Sequence, residues 1–283
     1  TAALYGFGAN EELLREAVGH RRREYFLASK CGLFKDAEGI REINGHPDVI
    51  RRTCEDSLKR LGTDHIDLYY LHRKDPVVPI QDSVGELRRL KEEGHIGAIG
   101  LSEVAPDTLE NAMSEAPIAA LQSEYSLWTR HPEGKIMELC VDNDIALVAY
   151  SPLGRGFFCN HLMQNSDLVD KDIRRSMPRF QPEHLAVNHS VLSRLIKYCS
   201  SQEIPVSEGA LAWLLAQGEN IVPIPGTRSV ERARANFVAS DLELSDEVLK
   251  QIGAILSPDT ISGERYNDKI LREVDSEKHR YVD

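Results

Sequence analysis

Short apolar runs of strand character alternate along this chain with stretches whose apolar residues recur every three or four positions. Six runs, at 25–30, 66–72, 99–103, 120–123, 146–151 and 221–227, each end in a polar side chain. Helical spacing predicts helices over 10–19, 47–61, 80–93, 106–116, 135–144 and 229–239. The 47–61 stretch shows the pattern well, with Val49, Ile50, Cys54, Leu58 and Leu61 forming one apolar stripe. The helix at 80–93 is expected to stop at Gly94, a residue suited to the left-handed position after a helix. Strands alternating with helices imply a parallel sheet. Polar groups gathered at the carboxyl ends of parallel strands are where a (β/α) barrel places its chemistry.

Two regions break the rhythm. Residues 154–189 read as one long connection carrying Arg174, Arg175 and Arg179, and long connections in compact domains are usually functional or disordered. Two helices, 191–202 and 206–217, then follow where one would suffice. Beyond a further helix at 246–256, a charged tail at 258–283 is either solvated or folded over a site. A closed barrel of this kind needs eight strands, and six are counted. Either two strands precede Thr1 in the intact protein or the sheet is open, and the expectation favoured is a single α/β domain over 1–283, a (β/α)8 TIM barrel whose first βα unit and second strand are missing from this chain. Residues 1–8 then read as the end of a strand-to-helix loop.

Composition narrows the function. The 283 residues carry 34 Lys and Arg against 45 Asp and Glu, a formal charge of −11. Non-specific nucleic-acid binding needs clustered cations, so no nucleic-acid partner is expected. The one dense basic cluster, Arg21 to Arg23, falls between a helix and a strand and reads as a solvated turn. Five scattered cysteines without a CxxC pair fit reduced thiols and a cytoplasmic location. No run has the length of a membrane span or the look of a signal peptide. Asn188-His189-Ser190 matches a glycosylation sequon only by chance in such a chain.

Three side chains at successive loops suggest chemistry. His72 and Lys30 stand at neighbouring strand ends, and Tyr5 lies just ahead of a helix. A phenol with a pKa of ~10 is a poor acid near neutrality, but a nearby ammonium favours the phenolate. Converging at one barrel mouth, the three would protonate or polarise a carbonyl oxygen. Singly, each has an ordinary structural reading: an ion-pair lysine, a buried histidine, a packing tyrosine.

The motifs together resemble the aldo-keto reductase family over residues 1–256. They are Tyr5-Gly6 with Asn10-Glu11-Glu12, Ser29-Lys30-Cys31-Gly32, Asp67 to Arg73, and Gly100-Leu101-Ser102-Glu103. Gln122 to Trp128, Tyr150-Ser151-Pro152-Leu153-Gly154-Arg155-Gly156 and Ile224-Pro225-Gly226-Thr227-Arg228 complete the set. The chain is most similar to the branch of plant, fungal and bacterial NADPH-dependent reductases such as perakine and pyridoxal reductases. The resemblance implies reduction of aldehydes and ketones to alcohols, with Tyr5 as general acid, Lys30 tuning it and His72 orienting the carbonyl.

For NADPH it implies Ser102, Glu103 and Gln122 at the carboxamide and Tyr150 stacked on the nicotinamide. Ser151, Leu153, Gly154 and Arg155 would take the pyrophosphate, and Ile224, Gly226 and Thr227 would also bind the cofactor. Arg228 and Arg232 would hold the 2′-phosphate, where a helix start favours an anion, and Asn236 would face the adenine. Trp128 would meet a small carbonyl substrate, and no metal is implied.

There are departures. The family's tetrad includes an Asp directly before the Thr-Ala of this motif, and the chain begins at Thr1, so its activity is expected to be impaired. Glu103 stands where many members carry Asn, and Ala235 where an acidic residue often touches adenine. Gly6-Phe7-Gly8 lacks the third glycine of a Rossmann fingerprint. Two other readings remain: a non-catalytic NADPH-binding regulatory subunit on the same scaffold, and a Schiff-base aldolase with Lys30 as nucleophile.

Overall fold

The structure is a computed structural model that describes residues 1–35, 40–159 and 164–280. Part of the connection expected at 154–189 and the end of the tail expected at 258–283 therefore lie outside the described residues. The chain forms two compact units. One runs from Thr1 to Gln122 and adds Asp142–Ile145 and the residues from Arg272 on; the other comprises Ser123–Val141 and Ala146–Leu271. Among the described residues no helix is long and apolar enough to cross a membrane.

The first unit opens with a turn at Tyr5–Gly8 and helix α1, Ala9–Val18. Strand β1, Ala28–Cys31, follows, then a short antiparallel pair, β2 (Leu33–Lys35) and β3 (Arg41–Ile43). Helix α2 (Pro47–Leu61), β4 (Ile66–Leu71), α3 (Ile80–Glu92), β5 (Ile96–Ser102) and α4 (Pro106–Met113) alternate after that. Strand β6, Ala120–Glu124, carries the chain from one unit into the other. Within the first unit β1, β4, β5 and β6 are consecutive parallel neighbours.

Helix α2 shows why the periodic reading succeeds here. Ile50, Cys54, Leu58 and Leu61 are buried on one stripe, and each large apolar side chain contributes about 1.5–3 kcal/mol. His46 caps the start by accepting from the Asp48 N–H, Pro47 is the first helical residue, and Gly62 ends the helix at φ +66°.

The first strand starts later than the 25–30 pattern predicts. The Asp67 carboxylate captures the Leu27 N–H at 2.6 Å and also takes Arg22 at 2.8 Å, leaving Phe26 outside the sheet and 70% exposed. Arg22 also donates to the Tyr25 and His65 carbonyls, so only Arg21 and Arg23 of the basic cluster behave as the expected solvated turn. The β2–β3 pair has no counterpart in the sequence reading, because three-residue strands are too short to show a period.

In the second unit, α5 (Lys135–Asp142) precedes β7 (Ala146–Tyr150). Helices α6 (Pro182–Ser201) and α7 (Val206–Leu215) lead to β8, Ile221–Ile224. Helices α8 (Val230–Val238), α9 (Asp246–Ile255) and α10 (Asp268–Leu271) complete it. Strands β7 and β8 are parallel, with Tyr150 opposite Ile224, which brings the count of parallel strands among the described residues to six.

Helix α6 begins nine residues before the expected 191. Leu185, Asn188, Val191, Leu192 and Leu195 are all buried along its inner face. The polar Asn188 interrupts the apolar period, yet its amide donates to the Arg179 and Ser262 carbonyls and accepts from the Ser262 N–H. A buried polar group satisfied this fully is compatible with the core. The same bonds make Asn188 a structural side chain.

Candidate functional site

Alternation and register build the first unit's polar face. Ser29 and Lys30 are adjacent in β1 and point to opposite faces. Ser29 donates to Glu11 of α1 at 2.6 Å, while Lys30 turns toward Tyr5. Lys30 pairs with Tyr70, Tyr70 with Gly100, and Gly100 with Ala120. One alternation further on, Ser102 pairs with Gln122, and His72 follows the Leu71–Leu101 pair. The row therefore carries His72, Ser102 and Gln122, above Lys30 and the Tyr70 ring.

Gly100 is required at its place, since a Cβ there would lie 2.5 Å from Tyr70 Cε1. Tyr5 reaches this face from a left-handed turn. Gly6, Phe7 and Gly8 have φ of +60°, +56° and +94°, a sequence of angles that two flanking glycines make accessible.

Tyr5, Lys30 and His72 meet. The Lys30 Nζ lies 5.1 Å from the Tyr5 ring centroid, and the Tyr5 and His72 rings stand edge to face at 5.9 Å. Tyr5 is 42% exposed, whereas Lys30 and His72 are 6% and 7% exposed. Burial, reinforced by the Arg73 charge, lowers the Lys30 pKa to about 8. Burial also holds His72 well below the usual histidine value, with Arg73, Lys30 and Arg41 acting in the same direction. The imidazole is therefore neutral near pH 7, and its Nδ1 is buried without a hydrogen-bond partner among the described residues. Lys30 donates to the Thr1 carbonyl at 2.9 Å.

Arg73 was not singled out from the sequence, although it lies in the strand-end motif. It is buried and donates to the His72 carbonyl at 2.6 Å and the Ser102 hydroxyl at 3.2 Å. No sequence period signals a buried cation of this kind. The tail supplies other unanticipated partners. Asp275 accepts from the Ala105 N–H at 2.9 Å, and Ser276 donates to Glu103 at 2.6 Å. Glu103 is fully buried and sits at φ +56°. Its carboxylate is thus held by a residue 173 positions away.

The second unit carries the remaining expected residues. Tyr150 ends β7 with its ring half-buried; Ser151 follows at φ +52° and Arg155 at φ +55°. With Glu103, these are three of the six non-glycine residues at positive φ among those described. Such strain persists where surrounding structure enforces it and clusters at binding sites. Leu153 and Gly154 are buried, and a Cβ on Gly154 would meet Phe158 at 3.0 Å and Trp128 at 3.2 Å. The Arg155 guanidinium is 3.0 Å from the Glu124 carboxylate and 2.6 Å from the Tyr266 hydroxyl.

At the end of β8, Ile224, Gly226, Thr227 and Arg228 are exposed. Ser229 caps α8 by accepting from the Arg232 N–H, and Arg232 is exposed on its first turn with Asn236 half-buried one turn on. Trp128, expected to face an open mouth, is 3% exposed. It stacks on Phe157 at 4.0 Å, with Phe158 and Phe180 edge-on and Arg179 at 5.3 Å. Its ring is core to the second unit.

Comparison with known proteins gives the family. The sequence profile described as the aldo/keto reductase family matches residues 1–257. A probable aldo-keto reductase of Glycine max is 41% identical over 272 residues, covering 94% of this chain and 77% of the relative. An aldo-keto reductase of Schizosaccharomyces pombe, named for NADP(+), is 40% identical over 269 residues, covering 93% and 79%. Among solved structures, the glycerol dehydrogenase of Gluconobacter oxydans superposes with a TM-score of 0.83 at 26% identity, covering 97% of this chain and 81% of that one.

Proposed function

This chain belongs to the aldo/keto reductase family, and from that membership we propose that it reduces aldehydes and ketones to alcohols with NADPH, using Tyr5 as the proton donor. The observation that carries this reading is the convergence of Tyr5, Lys30 and His72 on one face of the first unit. The NADP(+) in the name of the Schizosaccharomyces pombe relative supports the cofactor.

The chain's own residues fit a phosphorylated dinucleotide. Ser102 and Gln122 offer neutral hydrogen-bonding groups suited to a carboxamide, beside the Glu103 carboxylate. Tyr150 offers a half-buried ring, and the tight turn from Ser151 through Leu153 and Gly154 to Arg155, closed by the Gly154 N–H on the Ser151 carbonyl, would take the pyrophosphate. A Cβ at Gly226 would meet nothing within 4 Å, leaving space beside Ile224 and Thr227. Arg228 and Arg232 are exposed cations at the start of α8, suited to a 2′-phosphate, with Asn236 next along the helix.

When bound, NADPH supplies the hydride that adds to the carbonyl carbon. The Tyr5 hydroxyl gives its proton to the carbonyl oxygen, and the Lys30 ammonium stabilises the phenolate left behind. Neutral His72 donates a hydrogen bond that orients the carbonyl and polarises it. Fixing these donors in advance lowers the entropic part of the barrier.

The test is a titration with NADPH followed by quenching of protein fluorescence, then loss of dihydronicotinamide absorbance on adding aldehydes. Removing one charge-assisted contact with Arg228→Ala is expected to weaken NADPH binding about 10- to 100-fold and to leave NADH binding unchanged. A protein that binds neither nucleotide would end the proposal. Tight NADPH binding without turnover over a broad aldehyde panel would favour the regulatory-subunit reading.

A further inference from the structure

The Tyr150 phenol is held by groups that the expected cofactor contacts leave unexplained. Its oxygen lies 3.0 Å from the Tyr266 hydroxyl and accepts from Arg265 at 3.4 Å. Tyr266 is 5% exposed, and its oxygen accepts from Arg155 at 2.6 Å. The Arg155 and Arg265 guanidiniums lie 5.2 and 5.1 Å from the Tyr266 ring centroid. Both are fixed by one carboxylate, Glu124, at 3.0 and 3.5 Å, and Glu124 is 1% exposed. All five side chains belong to the second unit.

We infer that Tyr266 is a positioning residue whose hydroxyl fixes the orientation of the Tyr150 ring and, through it, of the nicotinamide. This rests on the reading that Tyr150 stacks on that ring. A tyrosine at a strand end is free to swing about two side-chain torsions unless its far end is tied. Tyr266 ties it, and is itself held on its edge and beside its ring by two arginines that a buried carboxylate locks. Stability alone is a weak account of this arrangement, because buried ion pairs are often no more stabilising than apolar packing of the same volume. Fixed geometry at the Tyr150 oxygen is what the network supplies.

The consequence is a rigid wall against one face of the nicotinamide. A wall that swings lets the ring bind in more than one orientation, and transfer then draws on both C4 positions. Tyr266→Phe removes one oxygen and keeps the ring, so it leaves the packing intact, and Tyr150→Phe does the same on the other side of the contact.

Three proteins test the inference beside the wild type: Tyr266→Phe, Tyr150→Phe and the double variant. Losing the tie between the two phenols, with the arginine bond each hydroxyl also accepts, is expected to raise the Kd for NADPH about 3- to 10-fold in either single variant. The double variant is expected to fall short of the product of the two single effects, because the Tyr150–Tyr266 contact is lost once while the Arg155 and Arg265 bonds are lost separately. With NADPH deuterated at either C4 position, Tyr266→Phe is expected to erode the face selectivity of transfer. The inference is overturned if Tyr266→Phe keeps the wild-type Kd and selectivity, or if the two effects multiply in the double variant. In both cases the wild type still binds NADPH and the proposed function stands. A wild type that does not bind NADPH overturns both.

Discussion

Lys30→Met is expected to stabilise the protein at pH 7 while removing its chemistry. Lys30 is 6% exposed, and burial is the first cause of a pKa lowered from 10.5 to about 8. At roughly 1.4 kcal/mol per pH unit, that difference corresponds to about 3 kcal/mol against the folded, charged state. The substitution also removes the hydrogen bond from Nζ to the Thr1 carbonyl, worth about 1 kcal/mol. A net gain of about 2 kcal/mol is left at pH 7.

The pH dependence has a definite sign. Between about pH 8 and 10.5 the unfolded chain holds the Lys30 proton more tightly than the folded chain does. Wild-type stability contributed by this group therefore rises with pH through that window. The penalty is complete below pH 8 and absent above 10.5, so the variant's advantage should shrink across the window and reverse near its top. Urea unfolding of both proteins at neutral and alkaline pH measures the gap, and groups that titrate alike in the two cancel. A variant less stable than wild type at pH 7, or a gap independent of pH, would refute the reasoning. The same variant should lose carbonyl reduction by 100-fold or more, on the order of what a positioned acid–base group supplies.

Two other substitutions probe the frame around the site. Glu11→Ala leaves Arg60 and the buried Ser29 without the carboxylate they share at 2.7 and 2.6 Å, and a loss of about 3 kcal/mol is expected in urea unfolding; Glu11→Gln should cost less. Gly100→Ala drives a methyl against the buried Tyr70 ring, so about 1–3 kcal/mol of destabilisation is expected, and a fall in melting temperature together with a weaker reductase reaction would register the displaced ring.

The sequence was legible wherever one element buries one regular face. Helix α2 has the bounds its stripe predicts, and β4 begins at Ile66 and delivers His72 one residue beyond its end. Legibility failed where an interaction links distant positions. The start of β1 is decided by Asp67, which takes the Leu27 N–H across 40 residues. Helix α6 hides its first turns because Asn188 is buried for its hydrogen bonds, which a reading of apolar spacing scores as an exposed residue. The contacts made by the tail follow the same rule. Tyr266 meets Tyr150 across 116 positions, and Ser276 meets Glu103 across 173, separations that carry no local signature. The burial of Trp128 was illegible for a related reason, since its aromatic neighbours Phe157, Phe158 and Phe180 come from a connection without regular periodicity.

Burial also bears on the proposal that Tyr5, rather than His72, gives the proton. His72 is the usual candidate for an acid near neutrality, but burial and the Arg73, Lys30 and Arg41 charges keep it unprotonated there. An imidazole in that state has one N–H to donate as a hydrogen bond and no extra proton to release. Tyr5 is 42% exposed and holds its ring 5.1 Å from the Lys30 ammonium, so the anion formed when the phenol releases its proton has a cation beside it. The same Arg73 that helps keep His72 neutral also lowers Lys30 toward neutrality. Lys30 keeps its charge only below about pH 8, and proton donation by Tyr5 should weaken as pH rises through that value. The proposed division of labour between phenol and imidazole thus rests on where the chain leaves water and where it admits it.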